Sequence, residues 1–235
     1  MPLAIITGAS RGLGRALARA LAQRGWSLVL DARGREDLER VECELSATAD
    51  VAAIRGDVSD DWHRQLLLEA AGDDVDLLVN NASVLGPSPQ PRLAAYPLGE
   101  LERVYRVNVL APLALAQLVL PRMPDGGTIL NITSDAAVEA YEGWGGYGSS
   151  KAALEQVSAT LAGEHPEIRI YAVDPGDMRT RMHQEAFPGE DISDRPPPEE
   201  SVPGLLELIE GEHPSGRYRA RDLAGAATHA RVEAA

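Results

Sequence analysis

Lysine is almost missing from this chain: of its 22 basic residues only Lys151 is a lysine, and arginine fills the other places. A lone lysine points to chemistry suited to a primary ammonium, a compact point charge with three freely aimed donors. Chance gives the same count, so its neighbours decide the matter. Cysteine is as scarce. Cys43 can form no intramolecular disulfide, which fits a reducing compartment such as the cytoplasm. Positive charge is in deficit, and a net charge of −14 argues against nucleic acid or an anionic membrane surface as a partner. No apolar run approaches the length of a membrane span, and a first strand starting at Leu3 leaves no room for a signal peptide. The histidines, His63, His165, His183, His213 and His229, lack metal-ligand spacing. They read as solvated surface residues, and no metal site is expected.

What is present is organised around the stretch Leu3 to Leu17. Leu3 to Ile6 is apolar without polar alternation, which predicts a parallel strand covered on both faces. Leu13, Leu17 and Leu21 then recur at helical spacing, with Gly25 as the stop signal. Between strand and helix, Gly8, Gly12 and Gly14 are spaced GxxxGxG. Glycines there let N–H groups at a helix N-terminus approach a pyrophosphate with no Cβ in the way. A tight strand-to-helix turn would use the same residues for steric reasons alone, and the spacing differs from the GxGxxG fingerprint.

The 235 residues, 44% hydrophobic, are most simply one domain over 1–235. Further strands are expected at Ser27–Asp31, Val51–Ile54, Asp76–Asn80, Gly127–Thr133, Ile168–Asp174 and near Arg217–Arg219. The intervening helices carry Leu38, Val41 and Leu45, then Trp62, Leu66 and Leu67 behind a Ser59 cap. One or two helices over Leu98–Met123 are bent or divided by Pro112, and another runs from about Tyr147 through Leu161. Asp177 to Pro203 lacks periodicity and reads as a substrate loop or lid; a short helix spans Val202–Ile209, and the end from about 222 to 235 is expected to fray. Repeated βα units predict an α/β fold, a Rossmann-like, doubly wound parallel sheet with helices on both faces. Ligands of such sheets bind beyond the carboxyl ends of the strands. Gly8 to Gly14, Asp31 to Arg33, Asp57, Asn80 to Ala82, Ser134 and Pro175 to Thr180 all fall there, so six strand ends face one crevice.

Tyr147 and Lys151 are four apart on a helix and share a face. A phenol with pKa near ~10 is a weak acid at neutral pH, and a nearby ammonium favours the phenolate. The pair can serve as general acid and base. Ser134 is placed either to hydrogen-bond the same substrate oxygen or to cap a helix. Tyr147 and Lys151 have alternatives too, as a packing tyrosine and a solvated lysine.

Taken in order, Thr7-Gly8 with Gly12 and Gly14, Asp57, Asn80-Asn81-Ala82, Asn108, Ser134, Tyr147 with Lys151, and Pro175-Gly176 with Thr180 resemble the short-chain dehydrogenase/reductase family to about residue 220. The resemblance implies an NAD(P)-dependent oxidoreductase of a carbonyl or secondary alcohol, working as a homodimer or homotetramer. It implies that Tyr147 exchanges the proton, Ser134 polarises the substrate oxygen, and Lys151 binds the nicotinamide ribose and lowers the tyrosine pKa. Asn108 would order a water chain. The cofactor would lie along Gly8, Ser10, Arg11, Gly12, Leu13, Gly14, Arg33, Asp57, Val58, Asn80, Ala82, Pro175, Gly176 and Thr180, reaching Tyr147 and Lys151. Asp57 would meet the adenine and Thr180 the nicotinamide end. Ser83 stands where the family often has glycine, and Gly216 to Arg221 lacks the usual ending that makes tetramer contacts.

The cofactor signals pull in two directions. Asp31 can accept hydrogen bonds from an NAD ribose, but members of the resembled family that select NAD usually carry their acid one place later, where this chain has Ala32. Arg11 and Arg33 can clasp a 2′-phosphate, which favours NADPH over NADH. Two competing readings are a catalytically silent dinucleotide-binding sensor of the same fold and a haloalcohol dehalogenase. The second is disfavoured by Lys151 and the intact glycine turn.

Overall fold

Side chains alternate between two cores along every central strand. In the computed structural model, which describes residues 1–223, seven parallel strands lie in the order β3-β2-β1-β4-β5-β6-β7. They are β1 Leu3–Ile6, β2 Ser27–Ala32, β3 Val51–Arg55, β4 Leu77–Asn80, β5 Thr128–Ile132, β6 Arg169–Asp174 and β7 Gly216–Arg219. Ala4, Ile6, Leu28, Leu30, Val79 and Leu130 face one core. Ile5, Val29, Leu78, Ile129 and Ile170 face the other. This period-2 sorting makes these strands read as continuous apolar runs: both faces are covered, so no position needs to be polar.

The first core is roofed by α1 Gly12–Ala22, α2 Arg35–Leu45 and α8 Val202–Glu210, through Leu13, Leu17, Leu38 and Leu205. The second is roofed by α3 Asp61–Ala71, α5 Ala111–Val119 and α6 Gly145–Glu164, through Leu67, Leu115 and Leu161. The sheet is therefore Rossmann-like and doubly wound, as expected. The chain winds outward on both sides of the β1/β4 pair, and there the crevice opens.

Several local expectations are corrected. The cap of α3 is Asp60, whose carboxylate accepts from the Trp62 N–H at 2.9 Å, and not Ser59, which turns back to bond Asp57. That register exposes Trp62 and buries His63, Arg64, Leu67 and Leu68 instead. The Leu98–Arg122 segment is one continuous helical path, α4 Leu98–Tyr105 and α5 joined by a π-helical turn at Arg106–Leu110. Pro112 sits at the start of α5, directly after the π-helical turn. The segment is long and apolar enough to cross a membrane, contrary to the expectation from the sequence, yet half of it is buried in this protein. Within 177–203 there is regular structure: α7 Arg181–Ala186 and a 3₁₀ turn at Pro198–Ser201. Thr180 caps α7 by accepting from the His183 N–H at 3.3 Å. Most of the tail expected to fray lies outside the described residues.

Candidate active site

A cleft of about 740 Å³ runs along the carboxyl ends of the strands, from the glycine turn after β1 to the start of α6. At its floor Gly8 and Gly12 have φ of +66° and +56°. A Cβ on Gly8 would come within 2.9 Å of the Ala82 Cα, so the turn is tied to the end of β4 by contact as well as by φ. Arg11, the residue before α1, has extended backbone and gives no side-chain cap to the helix N–H groups. The first turn of α1 holds no acid either. An uncapped helix N-terminus behind a turn with glycine at positions 8 and 12 fits the pyrophosphate of a dinucleotide.

Of the residues expected along the cofactor path, Gly8, Ser10, Arg11, Gly12, Leu13, Arg33, Asp57, Val58, Ala82, Pro175, Gly176 and Thr180 all line the cleft. Thr180 closes over the turn, its Cγ2 3.6 Å from where a Gly12 Cβ would stand. Gly14 and Asn80 do not line the cleft. Gly14 faces the back of the turn, where a Cβ would be 2.6 Å from the Gly8 carbonyl oxygen and from Asn81 Nδ2. Asn80 is buried and donates to Asn131 Oδ1 at 2.7 Å, in a chain continued by Asn131 Nδ2 to Ser158 at 2.8 Å. Its neighbour Asn81 takes the position at the cleft, bonding the carbonyl oxygens of Thr7 at 2.8 Å and Gly8 at 3.2 Å.

Asp31 does not offer itself to a ribose. Its Oδ1 accepts from the Gly8 N–H at 2.7 Å and its Oδ2 meets His63 Nε2 at 2.9 Å. Burial pushes its carboxyl up, opposed by His63 and by the Gly8 N–H. His63, read from sequence as a surface residue, is 4% exposed. His183 is also drawn inward and lines the cleft. Burial works to raise the Asp57 carboxyl, but two hydrogen bonds from Ser59, with Arg33 and Arg103 nearby, bring it below its ordinary value.

At the other end Tyr147, Ser134 and Lys151 border the same space. Tyr147 is the third residue of α6 and is 7% exposed. Burial pushes its phenol above the ordinary value, opposed first by Ser83 and then by Ser134, while Asp135 and Asp174 push it further up. Lys151 Nζ lies 5.5 Å from the Tyr147 ring centroid and donates to the Ile132 carbonyl at 2.7 Å. With 2% exposure, its ammonium is itself lowered to about 7 by burial. Ser134 performs the cap role, accepting from the Ala136 N–H at 3.2 Å, and donates to Asp135 Oδ1 at 2.8 Å.

Asn108 sits in the π-helical turn, fully buried and outside the cleft. Its amide donates to the Val84 carbonyl at 2.9 Å and to Ser150 at 3.0 Å, and its Oδ1 accepts from the Val84 N–H at 2.9 Å and from Ser83 at 3.1 Å. It thus fastens the segment after β4 to α6. Ser83 was passed over in sequence as a replacement for glycine, and only its place beside Asn108 and the phenol reveals its interest. Arg103 was also missed, because nothing in a helical sequence says that its side chain reaches the adenosine end. Charges of both signs line the cleft: Arg11, Arg33 and Arg103 stand at that end with Asp31, Asp37 and Asp57, and Asp135, Asp174, Asp177 and Glu185 stand at the other with Lys151, Arg179 and Arg181.

Comparison with known proteins agrees with this architecture. The short chain dehydrogenase family profile matches residues 2–191. Sepiapterin reductase of Bos taurus is 33% identical over 199 residues, covering 77% of this chain and 74% of its own. A putative short chain dehydrogenase from Pseudomonas syringae superposes with a TM-score of 0.86 at 29% identity, covering 93% of this chain and 94% of its own. An alcohol dehydrogenase from Thermococcus sibiricus, solved with 5-hydroxy-NADP, has a TM-score of 0.83 at 31% identity and covers 95% and 97%. The sheet order, the glycine turn beside the Tyr147 pocket and these likenesses agree: the chain belongs to the short chain dehydrogenase family and is an NAD(P)-dependent oxidoreductase.

Proposed function

We propose that the protein transfers a hydride between NADPH and a carbonyl or secondary alcohol, with Tyr147 as the general acid and base. The observation that carries this reading is that Ser134, Tyr147 and Lys151 border the same cleft as the Gly8 to Gly12 turn. When bound, the nicotinamide supplies or takes the hydride. Tyr147 gives its phenolic proton to the substrate oxygen in reduction and takes it back in oxidation. Ser134 turns its hydroxyl from Asp135 to that oxygen. Lys151 exchanges its bond to the Ile132 carbonyl for the ribose hydroxyls and, once charged, favours the phenolate. Asn108 holds the segment that a proton-returning water chain would follow.

NADPH is favoured because Arg11 and Arg33 are exposed in the cleft and Arg103 adds a third cation there. The neighbour solved with 5-hydroxy-NADP supports the same preference. The substrate end is apolar on one wall, where Leu85, Trp144, Met182 and Ala186 pack around Tyr147. Trp144 meets Tyr147 at 5.9 Å and Phe187 at 5.8 Å between ring centroids. This wall suits a carbonyl compound with a flat apolar substituent. The homodimer or homotetramer and the cytoplasmic location expected from sequence belong to this proposal, the location resting on the single, exposed Cys43. A solution mass tests the assembly.

The reaction is tested by NADPH oxidation over a panel of aldehydes, ketones and quinones, with wild type and Tyr147→Phe. Turnover of an aryl ketone or quinone, lost in the variant, is expected. No turnover anywhere, with tight NADPH binding, would replace this reading by the sensor.

A further inference from the structure

The buried pair Asp31–His63 lies behind the adenosine end of the cleft and is unused by the reaction described above. Asp31 is the last residue but one of β2, next to the strand end where an acidic residue of a dinucleotide site commonly bonds the ribose 2′-hydroxyl. Its side chain is 2% exposed and its two oxygens are both taken, one by the Gly8 N–H and one by His63. His63 comes from α3, and room is made for it by Gly56, the residue after β3. A Cβ on Gly56 would stand 2.1 Å from His63 Nδ1. Asp31 and Gly56 both border the cleft, and Arg33, two residues beyond Asp31, is exposed in it.

A carboxylate here works against a 2′-phosphate twice over, since it repels that charge and offers NADH a hydrogen bond. Asp31 and the arginines would thus select opposite cofactors. His63 Nε2 occupies Asp31 Oδ2 at 2.9 Å, and an Nε2–H donor serves in either charge state of the ring. We infer that His63 is a specificity-determining residue, which masks Asp31 and so lets a site with an acid one place before the end of β2 prefer NADPH. This rests on the NADPH reading proposed above. His63 acts through Asp31 and is a positioning residue; it has no catalytic role.

The test is fluorescence titration of NADPH and NADH, without substrate, at one pH and salt, with melting curves for each variant. His63→Leu removes the donor and should lower the ratio of Kd(NADH) to Kd(NADPH) by about tenfold or more, the worth of one charge-assisted contact. His63→Gln, whose amide N–H can replace Nε2–H, should stay within about threefold of wild type, by the same measure. Asp31→Asn combined with His63→Leu should restore the wild-type ratio. Equal weakening of both nucleotides in His63→Leu, or no restoration in the double variant, would mean a structural role and overturn the inference.

Should His63→Leu not fold, Asp31→Asn alone decides. A masked acid predicts little change in the ratio. A rise in NADPH preference of about tenfold would show that Asp31 already faces the nucleotide, and would overturn it. A wild type with no NADPH preference would sink the arginine reading, while the shifts between variants would still judge His63.

Discussion

The ammonium of Lys151 lies 5.5 Å from the centre of the Tyr147 ring and is held by a backbone carbonyl, that of Ile132, at 2.7 Å. It is fully enclosed, and burial lowers its pKa from 10.5 to about 7. Near neutral pH the residue is therefore poised between its charged and neutral forms, which a guanidinium cannot be. The retention of one lysine in an arginine-using chain finds a physical reason here.

This burial has a sign that can be checked. Between about pH 7 and 10.5 the unfolded chain holds a proton on Lys151 that the folded chain has released, so its burden on stability is greatest below pH 7 and is relieved as pH rises through that window. Lys151→Met should melt higher than wild type at pH 6 to 7, with the gap closing toward pH 10. The same variant, and Lys151→Arg, should lose turnover by roughly 10² to 10⁴. Melting curves across pH and rates on any working substrate check both halves. Wild-type turnover in Lys151→Arg would end its catalytic assignment.

Ser83 sits between Asn108 Oδ1, 3.1 Å away, and the phenol that it helps to lower. Ser83→Gly restores the residue that the family often uses and removes that help. In the alcohol-oxidation direction, where phenolate is the base, the rising limb of the kcat/KM profile should move to higher pH. Superimposable profiles for the two proteins would remove Ser83 from the proton path.

The frame of this protein was legible in its sequence because it rests on local signals. Unalternated apolar runs marked Leu3–Ile6 and the strands after it, and helical spacing marked Leu38, Val41 and Leu45. The chemistry at strand ends follows from the fold, because parallel sheets of this kind bind ligands beyond the carboxyl ends of their strands. What failed was side-chain direction at the ends of elements. Asp31, Asn80 and His63 stand at or beside strand ends, and sequence does not say whether such a residue turns outward to ligand or inward to a partner 32 or 51 positions away. The α3 cap failed for a related reason: Ser59 and Asp60 are both good caps, and the choice between them rotates the whole helix.

Arg33 should carry much of the cofactor preference. A charge-assisted bond to a 2′-phosphate contributes roughly 1.5 to 3 kcal/mol. Arg33→Ala should then weaken NADPH by about tenfold to a hundredfold and leave NADH nearly unchanged. Nucleotide titrations in low and moderate salt measure this, and an unaltered NADPH affinity would refute it.

The segment 177–203 is the element most open to change on binding. Its helix α7 has only six residues, too short to hold itself without tertiary contacts. Those contacts are few and lie over the cleft: Met182 and Ala186 pack toward Tyr147, Phe187 meets Trp144, and Ser88 donates to the Glu185 carbonyl at 2.6 Å. The base of the segment is firmer, because the Arg179 N–H donates to Pro196 and Ser201 to Pro175, both at 2.8 Å. A substrate under Trp144 and Met182 would add buried area to the weak part and none to the firm part. Amide exchange at 181–187 should therefore slow when NADPH and a substrate analogue are both bound, while amides near 201 change little. Strong and equal protection of 181–187 with and without ligands would make this segment a fixed wall of the cleft, and the lid would be wrong.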